Sequence, residues 1–228
     1  HGELTGELVN WLIGKNSEQK LILIEKDSAM AEHLKEKYGE DKKIEIINGD
    51  VLKILPNLIS QSANKPISYK LSGNIPYYIT GSLFRLIGEL KKKPALTVVM
   101  IQKEVAERVS AQPPNMNLRA AATQIWADIE IIAQVSRKDF NPPPEVDSAV
   151  IELRAKSLEQ RAKTLENYYK TIKAVFKQPR KKLSNNISKE ILEKAGISPD
   201  LRGQNLSITE LIMLSKITVT LRSKKGRC

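Results

Sequence analysis

Short apolar runs alternate with helical stretches through residues 1–155, and this alternation constrains the fold more than any other feature of the chain. Leu21–Ile24 is continuously apolar, as expected for a parallel strand that is buried on both faces. Helical stretches such as Ser28–Tyr38 and Thr80–Leu90 separate the runs. Repeated β-α units predict a mostly parallel sheet with helices on both faces. The predicted strands are Leu21–Ile24, Ile44–Ile47, Tyr69–Gly73, Leu96–Ile101, Ile129–Val135 and Ala149–Leu153.

The strand pattern stops after Arg154, and the charge balance changes at the same place. Residues 1–155 carry 20 Lys and Arg against 20 Asp and Glu, whereas residues 156–228 carry 17 against 6, which accounts for the whole net charge of +11. We therefore predict an α/β domain at 1–155 and a basic helical domain at 156–228. A basic appendage on a neutral body favours a nucleic-acid partner, and the alternative is a solvated lysine-rich surface. The predicted helices here are Leu158–Phe176, Lys181–Ala195 and Thr209–Ile217.

Polar residues follow three consecutive predicted strands, where parallel sheets bind ligands. Glu25 follows the first strand, and its carboxylate can accept hydrogen bonds from both hydroxyls of a nucleoside ribose. Asp50 follows the second, where its carboxylate can accept from an adenine amino group while the amide of Val51 faces a ring nitrogen. Gly49 lets a ligand approach the backbone closely. Taken singly, such acids are more often helix caps or surface residues, but together with Asn74 they predict a pocket for an adenosine-containing ligand.

The tetrapeptide Asn74-Ile75-Pro76-Tyr77 has the chemistry needed to methylate an amine on an aromatic ring. Such an amine is a poor nucleophile because its lone pair is delocalised, so a catalyst must hold both N–H bonds and turn the lone pair outward. Asn74 offers a side-chain carbonyl, and Pro76 stiffens the loop so that the Ile75 carbonyl becomes a second acceptor. Tyr77 offers a face on which a flipped base can stack. The alternative is a strand end with a proline turn and a packing tyrosine.

Composition narrows the remaining chemistry. The only cysteine is Cys228 and the only histidines are His1 and His33, which argues against a disulfide framework, a metal site or a Ser-His-Asp triad. The phosphate-binding pattern G-x-x-x-x-G-K-[ST] is absent. No apolar run is long enough to span a bilayer, and no secretory signal is visible at the start, so we expect a soluble cytoplasmic protein.

These segments resemble the rRNA adenine dimethyltransferases of the small ribosomal subunit and, more distantly, the antibiotic-resistance relatives that act on the large subunit. The resemblance covers essentially the whole chain, and Gly73–Thr80 is its most specific piece. Gly2-Glu-Leu-Thr5 resembles the end of the glycine-rich cofactor loop, so we expect the family's first strand and most of that loop to precede His1. The other similar segments are Ile24–Asp27, Asn48–Val51, Gln102–Arg108, Phe140–Ser148, Phe176–Asn186 and Arg202–Ser207.

The resemblance implies a Rossmann-like class I methyltransferase sheet, mostly parallel with an antiparallel last strand, and a smaller C-terminal all-helical domain. It implies dimethylation of the N6 amine of two adjacent adenosines in a small-subunit rRNA hairpin loop, in ribosome biogenesis. Phe140 is implied to pack against the target base, beside the catalytic loop of Asn74, Ile75, Pro76 and Tyr77. S-adenosylmethionine is the implied cofactor, and its predicted contacts are Gly2, Glu25, Lys26, Gly49, Asp50, Val51 and Asn74.

The C-terminal third supplies the predicted RNA contacts, each with a solvated helix face as the alternative. We expect a monomer without membrane contact that binds small-subunit rRNA or its precursor particle. One rival is a non-catalytic ribosome-assembly or transcription factor on the same fold, which the intact Asn-Ile-Pro-Tyr disfavours. The other is a resistance-type large-subunit rRNA methyltransferase, which the basic helical tail disfavours. The predicted RNA contacts are Lys177, Arg180, Lys181, Lys182 and Arg202.

Overall fold

The computed structural model describes residues 6–9, 19–61, 68–156 and 162–225. They pack as two compact units. The first comprises the described residues up to Tyr69 together with Tyr78–Lys93, and the second comprises Lys70–Tyr77 and the described residues from Pro94 onward.

The first unit is built on a pair of parallel strands. Strand β1 (Leu21–Glu25) pairs with β2 (Ile44–Asn48), so that Glu25 lies opposite Asn48 at their carboxyl ends. The helical stretch predicted at Ser28–Tyr38 is a helix with the same bounds, and the preceding Asp27 caps it by accepting from the Met30 amide at 2.9 Å. The helices of this unit are α1 (Ser28–Tyr38), α2 (Val51–Gln61) and α3 (Thr80–Glu89).

The second unit contains a four-stranded sheet whose strands are β3 (Lys70–Asn74), β4 (Leu96–Gln102), β5 (Ala127–Val135) and β6 (Ser148–Ala155). Their order across the sheet is β3-β4-β6-β5. The first two strands are parallel, and β6 is antiparallel to both of its neighbours. Only β6 therefore runs in the opposite direction, which confirms the prediction of a reversed last strand.

The C-terminal helices share a core with this sheet. Trp126 and Tyr168 are almost completely buried, and each large buried side chain contributes about 1.5–3 kcal/mol through the area it removes from water. The Tyr168 hydroxyl also donates to the Ala121 carbonyl at 3.0 Å, which joins the helix at Ala162–Val175 to the helix at Leu118–Gln124. The predicted domain boundary between residues 155 and 156 remains a prediction. The helices of this unit are α4 (Lys103–Ser110), α5 (Leu118–Gln124), α6 (Ala162–Val175), α7 (Lys189–Lys194) and α8 (Ile208–Lys225).

The prediction of one continuous helix at Lys181–Ala195 is wrong. Residues Leu183–Asn185 form a short 3₁₀ turn, and α7 begins only at Lys189. Residues of this segment form hydrogen bonds with residues outside it. The Leu183 amide donates to the Leu201 carbonyl at 2.7 Å, and the Asn186 side chain donates to the Val175 carbonyl at 2.9 Å. Serine and asparagine favour such local bonds over a helix interior.

Candidate functional site

The carboxyl ends of β1 and β2 bring five predicted cofactor contacts together with a residue that sequence reasoning missed. The Gly49 amide donates to the Glu25 carbonyl at 2.8 Å. Asn48, which was not predicted, donates from its side chain to the carbonyls of Glu25 and Lys26 at 2.9 and 3.3 Å. The half-buried Glu25 carboxylate accepts from the Asp27 amide through Oε1, at 2.9 Å. These bonds hold the strand ends in one arrangement and leave Glu25 Oε2 without a partner in the described residues.

Asp50 acts as a helix cap and keeps one oxygen available. Its Oδ1 accepts from the Leu52 amide at 2.9 Å, while its backbone carbonyl accepts from the amide of Ile54, also at 2.9 Å. Val51 is the first residue of α2, so its amide belongs to the first turn, where N–H groups lack acceptors within the helix. Asp50 therefore does cap a helix, which was the alternative to a ligand-binding role in the sequence analysis. It uses only one carboxylate oxygen, and Oδ2 forms no bond within the described residues.

Gly49 cannot be replaced without strain. Its φ of 155° lies where side chains are rarely tolerated, and a Cβ there would come within 2.7 Å of Ile54 Cδ1. The glycine therefore shapes the turn between β2 and α2, in addition to its predicted role of admitting a ligand. Of the other predicted cofactor contacts, Lys26 is exposed, and Gly2 lies outside the described residues.

The loop after β3 is held at its start and open at its acceptors. Asn74 lies opposite Met100 in the parallel pair, and the Ile75 amide donates to the Met100 carbonyl at 3.1 Å. Asn74 and Pro76 are exposed, and Ile75 is half-buried. Within the described residues, neither the Asn74 side-chain oxygen nor the Ile75 carbonyl accepts a hydrogen bond. Two acceptors on one anchored loop are therefore available to a ligand.

Tyr77 is tied to the sheet by its hydroxyl group. The hydroxyls of Tyr77 and Ser148 lie 2.9 Å apart, and Ser148, the first residue of β6, is 1% exposed. The ladder pairs Ser148 with Gln102 at the carboxyl end of β4. A hydrogen bond to a buried hydroxyl of this kind favours one orientation of the ring. Sequence reasoning missed Ser148, although it is the last residue of a segment that carried the resemblance.

The loop that carries Phe140 is closed by an arginine and an aspartate. The Arg137 amide donates to Asp147 Oδ1 at 3.0 Å, and the Arg137 guanidinium donates to the Glu145 carbonyl at 3.2 Å. The Lys103 amide donates to the Asp147 carbonyl at 3.0 Å, which attaches the loop to the end of β4. Phe140 is half-buried and contacts no other aromatic ring in the described part of the chain.

The predicted RNA contacts gather around Gly203. A Cβ on Gly203 would come within 3.0 Å of Phe176 Cε1, so the turn before Leu206 packs tightly against the end of α6. The bond between the Leu183 amide and the Leu201 carbonyl, at 2.7 Å, joins the two chain segments that carry the cationic side chains. The side chains, which we call the tail cluster, are all exposed: Lys177, Arg180, Lys181, Lys182 and Arg202.

One member of the tail cluster already has an acidic partner. Lys182 donates to Asp200 Oδ1 at 2.7 Å, and both side chains are largely exposed. The hydrogen bond from Lys182, and then its charge, lower the pKa of the Asp200 carboxyl below its usual range. An exposed pair of this kind is screened by water and exchanges readily for another anion. Lys182 therefore remains available to a phosphate, and its RNA contact stays a prediction like those of the other four residues.

Metal sites and membrane-spanning helices were also sought in the described residues. In these ranges, no group of three His, Cys, Asp or Glu side chains is arranged to hold a metal ion. Each helix in the described part of the chain is too short or too polar to cross a bilayer. The fold and the polar strand ends thus define a Rossmann-like α/β protein with candidate ligand groups at the carboxyl edges of its strands and a separate basic surface.

Comparison with known proteins gives the family. Residues 1–218 match the family described as ribosomal RNA adenine dimethylase. A ribosomal RNA small subunit methyltransferase A of Dehalococcoides mccartyi strain 195 is 34% identical over 224 residues, covering 93% of this chain and 74% of the relative. The protein of the same name from Clostridioides difficile strain 630 is 36% identical over 239 residues, covering 98% and 80%. This chain belongs to the ribosomal RNA adenine dimethylase family.

Solved structures agree on the fold. A dimethyladenosine transferase from Plasmodium falciparum matches with a TM-score of 0.70 at 22% identity, covering 91% of this chain and 83% of that one. The 23S rRNA methyltransferase ErmE matches with a TM-score of 0.66 at 21% identity, covering 87% and 81%. The predicted Rossmann-like fold and the predicted enzyme class, an rRNA adenine dimethyltransferase, are therefore confirmed. The roles of individual residues stay predictions.

Proposed function

We propose that this protein dimethylates the N6 amine of two adjacent adenosines in a small-subunit rRNA hairpin loop, in ribosome biogenesis. The family match and the names of relatives such as the small subunit methyltransferase A of Clostridioides difficile support the reaction and the substrate. The observation that carries the proposal is the anchored loop after β3. Its two acceptors, Asn74 Oδ1 and the Ile75 carbonyl, accept no hydrogen bond from the described residues and suit the two N–H bonds of an exocyclic amine.

The loop would act by positioning. Two acceptors that hold both N–H bonds turn the nitrogen lone pair away from the ring and toward the methyl donor. Pro76 stiffens this arrangement, and the Ile75 amide bond to Met100 keeps the loop in register with β4. An in-line displacement needs alignment and exclusion of water more than it needs a strong base. The methylated nitrogen is cationic and acidic, so water can take its proton.

S-adenosylmethionine fits the groups at the ends of β1 and β2, and when bound it would supply the methyl group. Glu25 is half-buried, and one oxygen of its carboxylate has no partner among the described residues, which suits the two hydroxyls of a ribose. Asp50 keeps Oδ2 for an adenine amino group, and Val51 presents a first-turn amide to a ring nitrogen. Lys26 and Gly49 complete this set, and Gly2 joins it as a sequence prediction.

The aromatic residues would hold the flipped base. The Tyr77 ring is fixed by Ser148 and offers a face for stacking, and Phe140 lies in the loop that ends at Ser148. Stacking of a base on an aromatic side chain contributes about 1–3 kcal/mol and tolerates any base. The acceptors of Asn74 and Ile75, rather than the rings, would therefore select the amine.

The tail cluster would hold the RNA backbone. Its exposed cations suit phosphates, and they account for the predicted role of residues 156–228 as an RNA-binding region. We include in this proposal a cytoplasmic monomer that acts on the small subunit or its precursor.

The test is methyl transfer by Asn74→Ala. We expect this variant to lose at least about a hundredfold in rate on isolated small subunits, because the amine is no longer oriented. Its affinity for S-adenosylmethionine, measured by calorimetry, should fall far less than the rate, because Asn74 is only one of the predicted cofactor contacts. Asn57→Ala removes an exposed asparagine from α2 and serves as the matched control. Full turnover by Asn74→Ala would contradict the assigned role.

The same assay separates the proposed function from its rivals. Wild-type protein should methylate isolated small subunits and leave large subunits unmodified. Transfer to large subunits alone would favour the resistance-type activity. Binding to small subunits without any transfer would favour a non-catalytic assembly factor.

A further inference from the structure

One pocket is lined by residues that the proposed mechanism does not use. Gln102, Lys103 and Glu107 come from the end of β4 and from α4, and Glu145, Val146 and Asp147 come from the residues before β6. They surround a pocket of about 450 Å³ that lies wholly within the second unit. We call this feature the α4 pocket. Both segments belong to the resemblance described above. The proposed mechanism uses Phe140 and Ser148 from the second segment, but it gives no role to the six residues named here.

The α4 pocket lies next to the side chain that holds Tyr77. Gln102 is the ladder partner of Ser148, whose hydroxyl lies 2.9 Å from that of Tyr77. The backbone bond between Lys103 and Asp147, at 3.0 Å, joins the two walls of the pocket. A base that stacks on Tyr77 would therefore place a neighbouring nucleotide within reach of these walls.

Several lining groups are already engaged. Glu104 pairs with Arg108 at 2.6 Å, and Asp147 Oδ1 accepts from the Arg137 amide at 3.0 Å. By contrast, the side chains of Lys103 and Glu107 form no ion pair or hydrogen bond within the described residues. Lys103 and Glu107 are four residues apart on α4, so they lie on the same face of the helix. The pocket thus presents a donor and an acceptor side by side, and the Lys103 side chain is half-buried.

The charges of the lining decide which part of an RNA can enter. Four acidic residues line the pocket against two basic ones, Lys103 and Arg137, so a phosphate would be repelled. A carboxylate only accepts hydrogen bonds, whereas an ammonium group only donates them. The pocket therefore suits a base edge that carries N–H donors beside a carbonyl oxygen.

We propose that the α4 pocket takes an unpaired guanine of the substrate RNA, next to the target adenosine. Guanine presents two adjacent N–H donors, N1 and N2, which suit the two oxygens of the Glu107 carboxylate, and beside them O6, which suits Lys103. Adenine and cytosine offer a single amino group on that edge and would engage only one carboxylate oxygen. Guanine recognition at this pocket would give the enzyme sequence selectivity that base stacking alone does not provide. The inference depends on the proposed RNA substrate, and it adds a second base-reading site.

Inosine provides the test, because it lacks only the 2-amino group of guanosine. Each unpaired guanosine of a synthetic hairpin with the target loop is replaced in turn by inosine, and affinity is measured by fluorescence anisotropy at fixed salt. We expect one position to weaken binding by wild-type protein by about tenfold, as for the loss of a hydrogen bond to a charged acceptor. Glu107→Gln should bind the guanosine and inosine forms of that hairpin almost equally.

A matched variant controls for charge. Glu130→Gln removes the same charge from an exposed position on β5, away from the α4 pocket, and should keep the wild-type ratio between the two hairpins. The proposal is overturned if no guanosine position responds to inosine, or if Glu107→Gln keeps the wild-type ratio. Methyl transfer to small subunits, measured in parallel with wild-type protein, separates the two ideas. Methyl transfer without any inosine effect rejects only the proposed guanine site in the α4 pocket. If there is no methyl transfer, the proposed function itself is rejected.

Discussion

The hydrogen bond between Tyr77 and Ser148 allows a quantitative test of how the catalytic loop is held. Two hydroxyls lie 2.9 Å apart, but their surroundings differ, because Ser148 is 1% exposed and Tyr77 is half-buried. Removing one partner leaves the other unsatisfied to a degree that depends on its access to water. Tyr77→Phe and Ser148→Ala should therefore have unequal effects on the free energy of unfolding.

The expected magnitudes follow from burial. Tyr77→Phe leaves the Ser148 hydroxyl enclosed without a partner, which costs about 1–3 kcal/mol. Ser148→Ala leaves the Tyr77 hydroxyl without its partner, but this hydroxyl can bond to water instead. The loss in the free energy of unfolding is therefore nearer the net value of one hydrogen bond, about 0.5–1.5 kcal/mol. The double variant should be no less stable than Tyr77→Phe alone, because Phe and Ala leave no unsatisfied hydroxyl.

Chemical denaturation of the wild type, both single variants and the double variant measures this cycle. A coupling energy of about 1 kcal/mol is expected, since the residues are in direct contact. Additive losses would show that the two hydroxyls do not interact, and a larger loss for Ser148→Ala would reverse the burial argument. Methyl-transfer kinetics on small subunits add a second readout. Both single variants should lower kcat more than RNA affinity, because ring orientation rather than contact area changes.

Three further predictions concern the tail, its packing and alkaline stability. Lys181→Ala and Arg202→Ala should each lower the slope of log RNA affinity against log salt by about one, and an unchanged slope would remove that residue from the interface. Gly203→Ala should destabilise the protein by about 1–3 kcal/mol in denaturant titrations, because the new Cβ lies 3.0 Å from Phe176 Cε1; wild-type stability would show that the ring yields freely. Burial raises the pKa of Tyr69 from 10.0 to about 12, so this residue contributes stability that is complete below pH 10 and is lost as pH rises toward 12. Tyr69→Phe should flatten the loss of stability over that window, and an equally steep loss in both proteins would refute the assignment.

Local sequence pattern was sufficient for most of the fold. All six predicted strands appear within a residue or two of their expected bounds, because short apolar runs between helix caps have few other ways to be buried. The reversal of β6 came from the family resemblance rather than from any local signal. The predicted helix at Lys181–Ala195 failed because Leu183 and Asn186 bond to residues far along the chain, which helical periodicity does not register.

The candidate site shows the same division. The sequence alone determined which polar residues follow which strands, and hence that Glu25, Asp50 and Asn74 stand at carboxyl ends, because strand direction and chain order settle that position. Only the tertiary structure decided that Asn48 joins two strand ends, that Ser148 holds Tyr77, and that Lys103 and Glu107 face a pocket. Those contacts join residues through strand register and loop closure, and the geometry of such long-range pairs is absent from any local stretch of sequence.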